Sequence, residues 1–178
     1  MKTVIAFSAL VASTVAQAGY FGVMSARSAS PVHLLPVQAR GGAFFLGGEA
    51  SSYCPPSLPE GSCPSGNSTV FAGGQGTLSL GVVVPGGQQV YVGPDGALGY
   101  TPPHSTSKPE GSIVEGWNKT EAGTFGHLSI GDGLVACPAG EGKGYQVYGQ
   151  IEGVELGSDC LGFSALTVNA TGPGAWQY

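Results

Sequence analysis

Apolar residues come in short runs along this chain, alternating with polar ones and breaking off at glycine or proline. After residue 18 the longest stretch free of both breakers is Phe163–Thr171, nine residues. An average helix takes about 11–12 residues, and an interior Gly or Pro costs a helix about 1 or 3 kcal/mol. Helix is therefore excluded, and the runs predict strands. Twelve candidates follow one another: Phe21–Ala26, Val32–Val37, Ala43–Leu46, Thr69–Phe71, Thr77–Val84, Gln88–Val92, Ala97–Tyr100, Ser112–Trp117, His127–Ile130, Leu134–Cys137, Tyr145–Gln150 and Leu161–Val168. Alternation is plain where Val90 and Val92 share one face, with Leu98 and Tyr100 nearby, and Gln89 and Tyr91 take the other.

Three joins predict tight hairpins. Gly86-Gly87 links VVVP to QQVYV, Asp95-Gly96 links YVGP to ALGY, and Asp132-Gly133 links LSIG to LVAC. Asp-Gly supplies the positive φ of a type I′ turn. The first and last apolar strands, FGVMSA and LGFSALTV, read as partners that close a sheet. About a dozen short strands imply a barrel or a two-sheet sandwich. Hairpin-rich thirds near 21–48, 69–101 and 112–168 favour a β-trefoil-like barrel, all-β and a single compact domain. Gly47–Gly66 reads as a stapled surface loop and Thr101–Gly111 as a second loop.

The N-terminus refines the picture. Lys2 precedes the apolar run Val4–Ala12 and a small-residue site, Ala16-Gln17-Ala18, the layout of a secretory signal peptide spanning 1–18. The run is too short for the ~20 residues of a membrane span, and no later segment is apolar enough for one. Removal of 18 of the 178 residues leaves one domain, 19–178. Without Lys2 the balance is five cations against 11 acids, a net charge of −6. No basic stripe exists to neutralise phosphates, so neither nucleic acid nor a membrane is expected as a partner, and a monomer is expected.

Four cysteines, Cys54, Cys63, Cys137 and Cys160, read as disulfides in an exported chain. Of the three connectivities, Cys54–Cys63 with Cys137–Cys160 is favoured because each closes a local loop. No CxxC and no His at ligand spacing accompany them, so no metal is expected, and nothing points to a cofactor. His33, His104 and His127 stand alone, without the positioned partner a general base needs. Gly162-Phe163-Ser164-Ala165 lacks the last glycine of a nucleophile elbow. Asp95, Asp132, Glu141 and Glu152 sit beside glycine in turns, where Asp side chains serve turn geometry. The glycine-rich Gly140–Gly149 stretch opens into a strand and reads as a hairpin. No enzyme is expected.

Covalent decoration gives a stronger signal. Asn67-Ser68-Thr69, Asn118-Lys119-Thr120 and Asn169-Ala170-Thr171 are acceptors for N-glycans, and the loop around Ser105–Lys108 suits O-glycans. Tyr91, Tyr100, Trp117, Tyr145, Tyr148 and Trp176 offer material for a sugar-stacking platform, although the preferred reading of these rings is core.

The blocks FGVMSARSASPVHLLPV, GHLSIGDGLVACP and DCLGFSALTV resemble the fungal cell wall protein PhiA family, with the resemblance covering most of residues 20–170. More remotely, GW followed by GHLSIG, then Cys137 and Cys160, is similar to the C-terminal domain of yeast cell wall proteins with internal repeats. This chain lacks their Gln-bearing repeats, so their ester linkage to glucan does not carry over. The resemblance implies secretion, cell-wall association, a role in conidiophore or phialide development, and antigenicity. It brings no catalytic residues. The expected function is that of a secreted, glycosylated, non-enzymatic cell-wall or extracellular structural protein, with wall polysaccharide or wall proteins as partners. The alternatives are a lectin-like carbohydrate-binding module and an effector acting on a host protein.

Overall fold

Phe21, Val23 and Ser25 point inward from the first strand, while the residues between them are half-buried. This is the period of a strand with one face on a core. A computed structural model describes residues 19–122 and 125–178; the leader read from residues 1–18 lies outside them. Among the described residues every regular element is a strand: β1 (Tyr20–Ala26), β2 (Val37–Arg40), β3 (Ala43–Leu46), β4 (Phe71–Leu80), β5 (Val90–Val92), β6 (Leu98–Tyr100), β7 (Glu115–Ala122), β8 (Phe125–Ser129), β9 (Leu134–Pro138), β10 (Tyr145–Gly149) and β11 (Leu161–Ala170).

The first and last strands do close the sheet. β1 and β11 run antiparallel through seven residue pairs, from Tyr20↔Ala170 to Ala26↔Ser164. Round the ring, β1 pairs with β4, β4 with β7, β7 with β8, and β8 with β11. β4 doubles back on itself: Gly73, Gly74 and Gly76 have φ of 95°, 90° and 95°. A Cβ on Gly73 would stand 2.8 Å from the Thr77 carbonyl oxygen, and the Gly81 amide donates to the Val70 carbonyl at 2.7 Å. Only glycine takes such φ values freely, and the two arms of β4 supply neighbouring staves. With β1, β7, β8 and β11 the barrel has six.

Three hairpins cover one end of this barrel, β2–β3, β5–β6 and β9–β10. They meet pairwise. β3 pairs with β6 at Ala43↔Gly99 and with β10 at Tyr145↔Leu46, and the Ala97↔Tyr148 bridge closes the third side. A six-stave barrel capped by three hairpins is the trefoil-like arrangement expected from the three hairpin-rich thirds.

Several strand boundaries differ from expectation, for identifiable reasons. Val32–Val37 is mostly turn: Leu34 has φ 58°, Ser25 Oγ lies against the Val32 carbonyl, and the Leu35 amide donates to Ser25 Oγ at 3.3 Å. The strand begins only after Pro36, which has no amide hydrogen to give a ladder. The run Thr77–Val84 ends as strand at Leu80. Val82 and Val83 leave it to meet the C-terminal segment, with a Val82↔Ala175 bridge and a Val83 amide bond to the Ala175 carbonyl at 3.1 Å. Gly86-Gly87 therefore turns the chain without joining VVVP to QQVYV; Leu80 and Gln88 pair instead. Asp95-Gly96 does make the expected β5–β6 hairpin. Asp132-Gly133 makes a turn but no hairpin, because its polar groups are taken by Gln150: the Asp132 amide donates to the Gln150 carbonyl at 3.0 Å, and the Gln150 amide to the Gly133 carbonyl at 2.8 Å. The strands it was expected to pair separate, β8 to the barrel and β9 to the cap.

A line of ring contacts, two stacked and one edge-on, joins the two layers. Phe21 of β1 lies 6.0 Å from Phe71 of β4, Phe71 lies 5.5 Å from Phe44 of β3, and Phe44 lies 5.3 Å from Tyr100 of β6. Such contacts add about 0.5–1.5 kcal/mol each beyond burial. Where irregular chain crosses the core, buried polar side chains replace ladder bonds. The Thr69 amide donates to Gln38 Oε1 at 2.8 Å, and Thr69 Oγ1 accepts the Ala39 amide at 2.6 Å. Gln88 holds Tyr178 from both sides, accepting its amide at 2.7 Å and donating to its carbonyl at 2.8 Å. The Tyr178 hydroxyl donates to the Ser68 carbonyl at 2.6 Å and accepts the Val70 amide at 3.2 Å.

Both disulfides form with the favoured pairing, Cys54–Cys63 and Cys137–Cys160. The second ties buried Cys137 of β9 to the residue before β11; the first closes an exposed loop. Replacing Cys137 and Cys160 together by Ser is expected to cost about 2–4 kcal/mol, since the cross-link constrains only the unfolded chain. Replacing Cys54 and Cys63 is expected to cost less than about 1 kcal/mol, because the released loop gains freedom in the folded state too. Urea unfolding of both variants checks the order.

Burial pushes the Tyr178 phenol up to about 12, against the opposing Val70 hydrogen bond and with help from Tyr100. A neutral acid whose folded-state pKa is raised contributes stability below its unfolded value, here about 10, and loses it as pH rises through the folded value. Stability should hold to about pH 10 and fall between about 10 and 12. Tyr178→Phe should flatten that fall and cost about 1–3 kcal/mol at neutral pH through its unpaired partners, as read from urea midpoints across pH.

Candidate functional site

The three acceptor asparagines are all exposed, on different parts of the fold. Asn118 lies on β7 between buried Trp117 and half-buried Lys119, and Thr120 is exposed with it. In a strand, residues two apart share a face, so acceptor and hydroxyl point outward together. Asn169 is exposed near the end of β11, and Thr171 just beyond it is exposed too. Asn67 differs. Its own side chain is exposed, but Thr69 is only 4% exposed, with its hydroxyl engaged by the Ala39 amide. Once the domain has folded, the hydroxyl of this acceptor triplet belongs to the core.

Asn169 and Ser68 line the same groove of about 240 Å³, with Met24, Val37, Val70 and Val168 supplying apolar walls. Glycans on Asn67 and Asn169 would flank this groove. The Ser105–Lys108 segment is mainly exposed, with Ser105 and Thr106 beside His104 in an open surface depression.

The histidines do not come together. His33 Nδ1 accepts the Arg27 amide at 3.2 Å at the surface, His104 is exposed with φ 55° in its loop, and His127 faces outward from β8. Ser164 is an exposed ladder residue of β11 paired with Ala26, not a residue on a strand-to-helix turn. The Gly140–Gly144 stretch forms the β9–β10 turn, where the Ala139 amide donates to the Gly144 carbonyl at 2.9 Å. Among the described residues no group of three His, Cys, Asp or Glu is placed to hold a metal ion, and the ion pair between Lys119 and Glu121 is the one salt bridge found.

The six aromatic residues considered for a sugar platform are dispersed. Trp117 and Tyr100 are core, at 2% and 6% exposure. Tyr91 lies against Gly99, where a Cβ would stand 2.6 Å from its ring; burial, then the charge of Asp95, raises its phenol pKa. Tyr145 packs on the core, and Tyr148 and Trp176 are half-buried. The aromatic rings that do stand out are Tyr53, in the stapled loop between β3 and β4, and Phe125, which opens β8 two residues before the expected run His127–Ile130; neither falls inside an alternating run. The buried polar residues Gln38, Thr69, Gln88 and Thr101 were equally silent in the sequence. A lone amide or hydroxyl between apolar runs reads as surface until a tertiary partner is known.

The sequence comparisons agree with this closed, exported β domain. A protein of Arthroderma benhamiae described as an uncharacterized secreted protein is 42% identical over 159 residues, which span 83% of this chain and 79% of that protein. No solved structure matches. The family description PhiA-like secreted protein matches residues 21–178, the whole of the barrel and its cap. The chain belongs to the PhiA-like secreted protein family.

Proposed function

We propose that this secreted fungal protein is a glycosylated, non-enzymatic structural component of the cell wall or its surrounding matrix. The observation that carries the reading is the placement of Asn67, Asn118 and Asn169 on the outside of a closed, stapled barrel. Each can carry a bulky glycan without displacing core. Support also comes from the dispersal of the three histidines, since general acid–base chemistry needs convergent groups within hydrogen-bond reach. The protein acts as a monomer in this reading, because the ladders close on one another and leave little unpaired strand edge for association. Its partners are wall polysaccharides or wall proteins met through the decorated surface, and recognition by antibodies follows from that exposure.

The test is fractionation of a fungal culture with and without enzymatic removal of N-glycans. The protein is expected in the wall fraction, released by wall-degrading enzymes, and migrating faster after deglycosylation. Substituting Gln for Asn118 and Asn169 together should remove part of that mobility shift. Recovery in the medium alone, or unchanged migration after glycan removal, would sink the reading.

A further inference from the structure

The mature chain carries only five cations, and two of them line one open depression of about 580 Å³: Arg40, Gly41, Phe45, Gly48, Gly142 and Lys143. Its size falls within the range of ligand clefts, about 300–1,000 Å³. Three turns converge on it. Gly41 belongs to the β2–β3 turn, Gly48 to the loop leaving β3, and Gly142 and Lys143 to the β9–β10 turn.

Arg40 is held rigidly. Its guanidinium lies 4.5 Å from the centre of the Phe45 ring, and Nη1 donates to the Gly47 carbonyl at 2.9 Å and the Glu49 carbonyl at 3.4 Å. Gly48 has φ 71°, a backbone conformation that favours glycine, and a Cβ there would stand 2.8 Å from Nη1, so the guanidinium would have to shift. The Gly48 carbonyl is in turn held by Gln38 Nε2 at 3.3 Å. Both bonds leave from Nη1, and among the described residues Nε and Nη2 make none, which leaves their hydrogens for an outside acceptor. A guanidinium fixed in this way suits bidentate recognition of a carboxylate or phosphate, and Lys143 adds a mobile point charge. Glu49 and Glu141 are neighbours in sequence but do not line the depression.

We propose that this depression binds an anionic saccharide, a sugar bearing a carboxylate or phosphate, with the charged group on Arg40 and Lys143 and the ring over the glycine floor. An acidic peptide fits less well. Peptides commonly add to an unpaired strand edge, and here β3 is paired with β2 and β10. The free side of β2 is also occupied, by Thr69 Oγ1 on the Ala39 amide and by the Ser51 amide on the Ala39 carbonyl. The inference deepens the wall reading, on which it rests for the source of its ligand, by naming a ligand class.

The test is titration of the purified, isotopically labelled secreted protein, followed by amide and guanidinium resonances. Tetragalacturonate and mannose 6-phosphate serve as probes, against neutral laminaritetraose, a Glu-rich peptide and sodium sulfate. One or both anionic saccharides should give saturable shifts at Gly41, Gly48 and Gly142, and their ranking separates carboxylate from phosphate. Arg40→Gln should weaken binding at least about tenfold. Lys143→Gln, on an exposed turn remote from the core, should weaken it about threefold, and more at low salt. The proposal is overturned if neither anionic saccharide binds, or if laminaritetraose, the peptide or sulfate binds as tightly. It is also overturned if Lys143→Gln binds unchanged. Failure of this titration with wall retention intact removes the site alone, whereas saturable binding without wall retention removes the wall reading and keeps the site.

Discussion

Closure of β1 onto β11 is the constraint on which the rest depends. Seven consecutive residue pairs bring residues 20–26 against residues 164–170, almost the full length of the domain apart. Until that ladder forms, Phe21, Val23 and Ala165 have no common interior. Once it does, the ring from β1 through β4, β7 and β8 to β11 is closed, and Phe21, Val23, Leu78, Trp117, Leu128 and Ala165 share one buried interior. Bringing distant ends together is entropically slow. The Cys137–Cys160 bridge offsets part of this by holding the entry to β11 close to β9.

The cap then depends on the barrel through a line of rings. Phe21 and Phe71 belong to staves, Phe44 and Tyr100 to cap hairpins, and they touch in sequence at 5.3–6.0 Å, the first two contacts stacked and the last edge-on. Each cap hairpin touches the other two. Phe71 and Phe44 make the contact that joins the layers, so loss of either ring would loosen both. Irregular crossings are knitted by amide and hydroxyl side chains, Gln38 with Thr69 and Gln88 with Tyr178. A buried amide of this kind is stabilising only because both its ends are matched.

Function follows from how little this economy leaves on the surface. The core takes the large aromatics, so Trp117 and Tyr100 cannot serve as a sugar platform. Acceptor asparagines and glycine-rich turns remain outside. One turn cluster gathers two of the chain's six lysine and arginine residues round Phe45. That cluster is assembled from residues as far apart as Arg40 and Lys143, and it exists because β3 and β10 pair.

Strand character throughout, the paired ends, the hairpin-rich thirds and the local disulfide pairing were all readable from the sequence. Each follows from a local cause: breaker spacing, alternation, or the short span between cysteines. The acceptor triplets were equally visible, because they are defined by three adjacent residues. What tertiary structure alone decided was pairing between segments distant along the chain. Asp132-Gly133 had the chemistry of a hairpin, yet Gln150 took its polar groups. Val32 had the pattern of a strand, yet Ser25 held its neighbourhood in a turn. Local pattern sets which backbone states are cheap, while competition for hydrogen bonds among distant segments selects the partner, and no stretch of sequence carries its competitor's position.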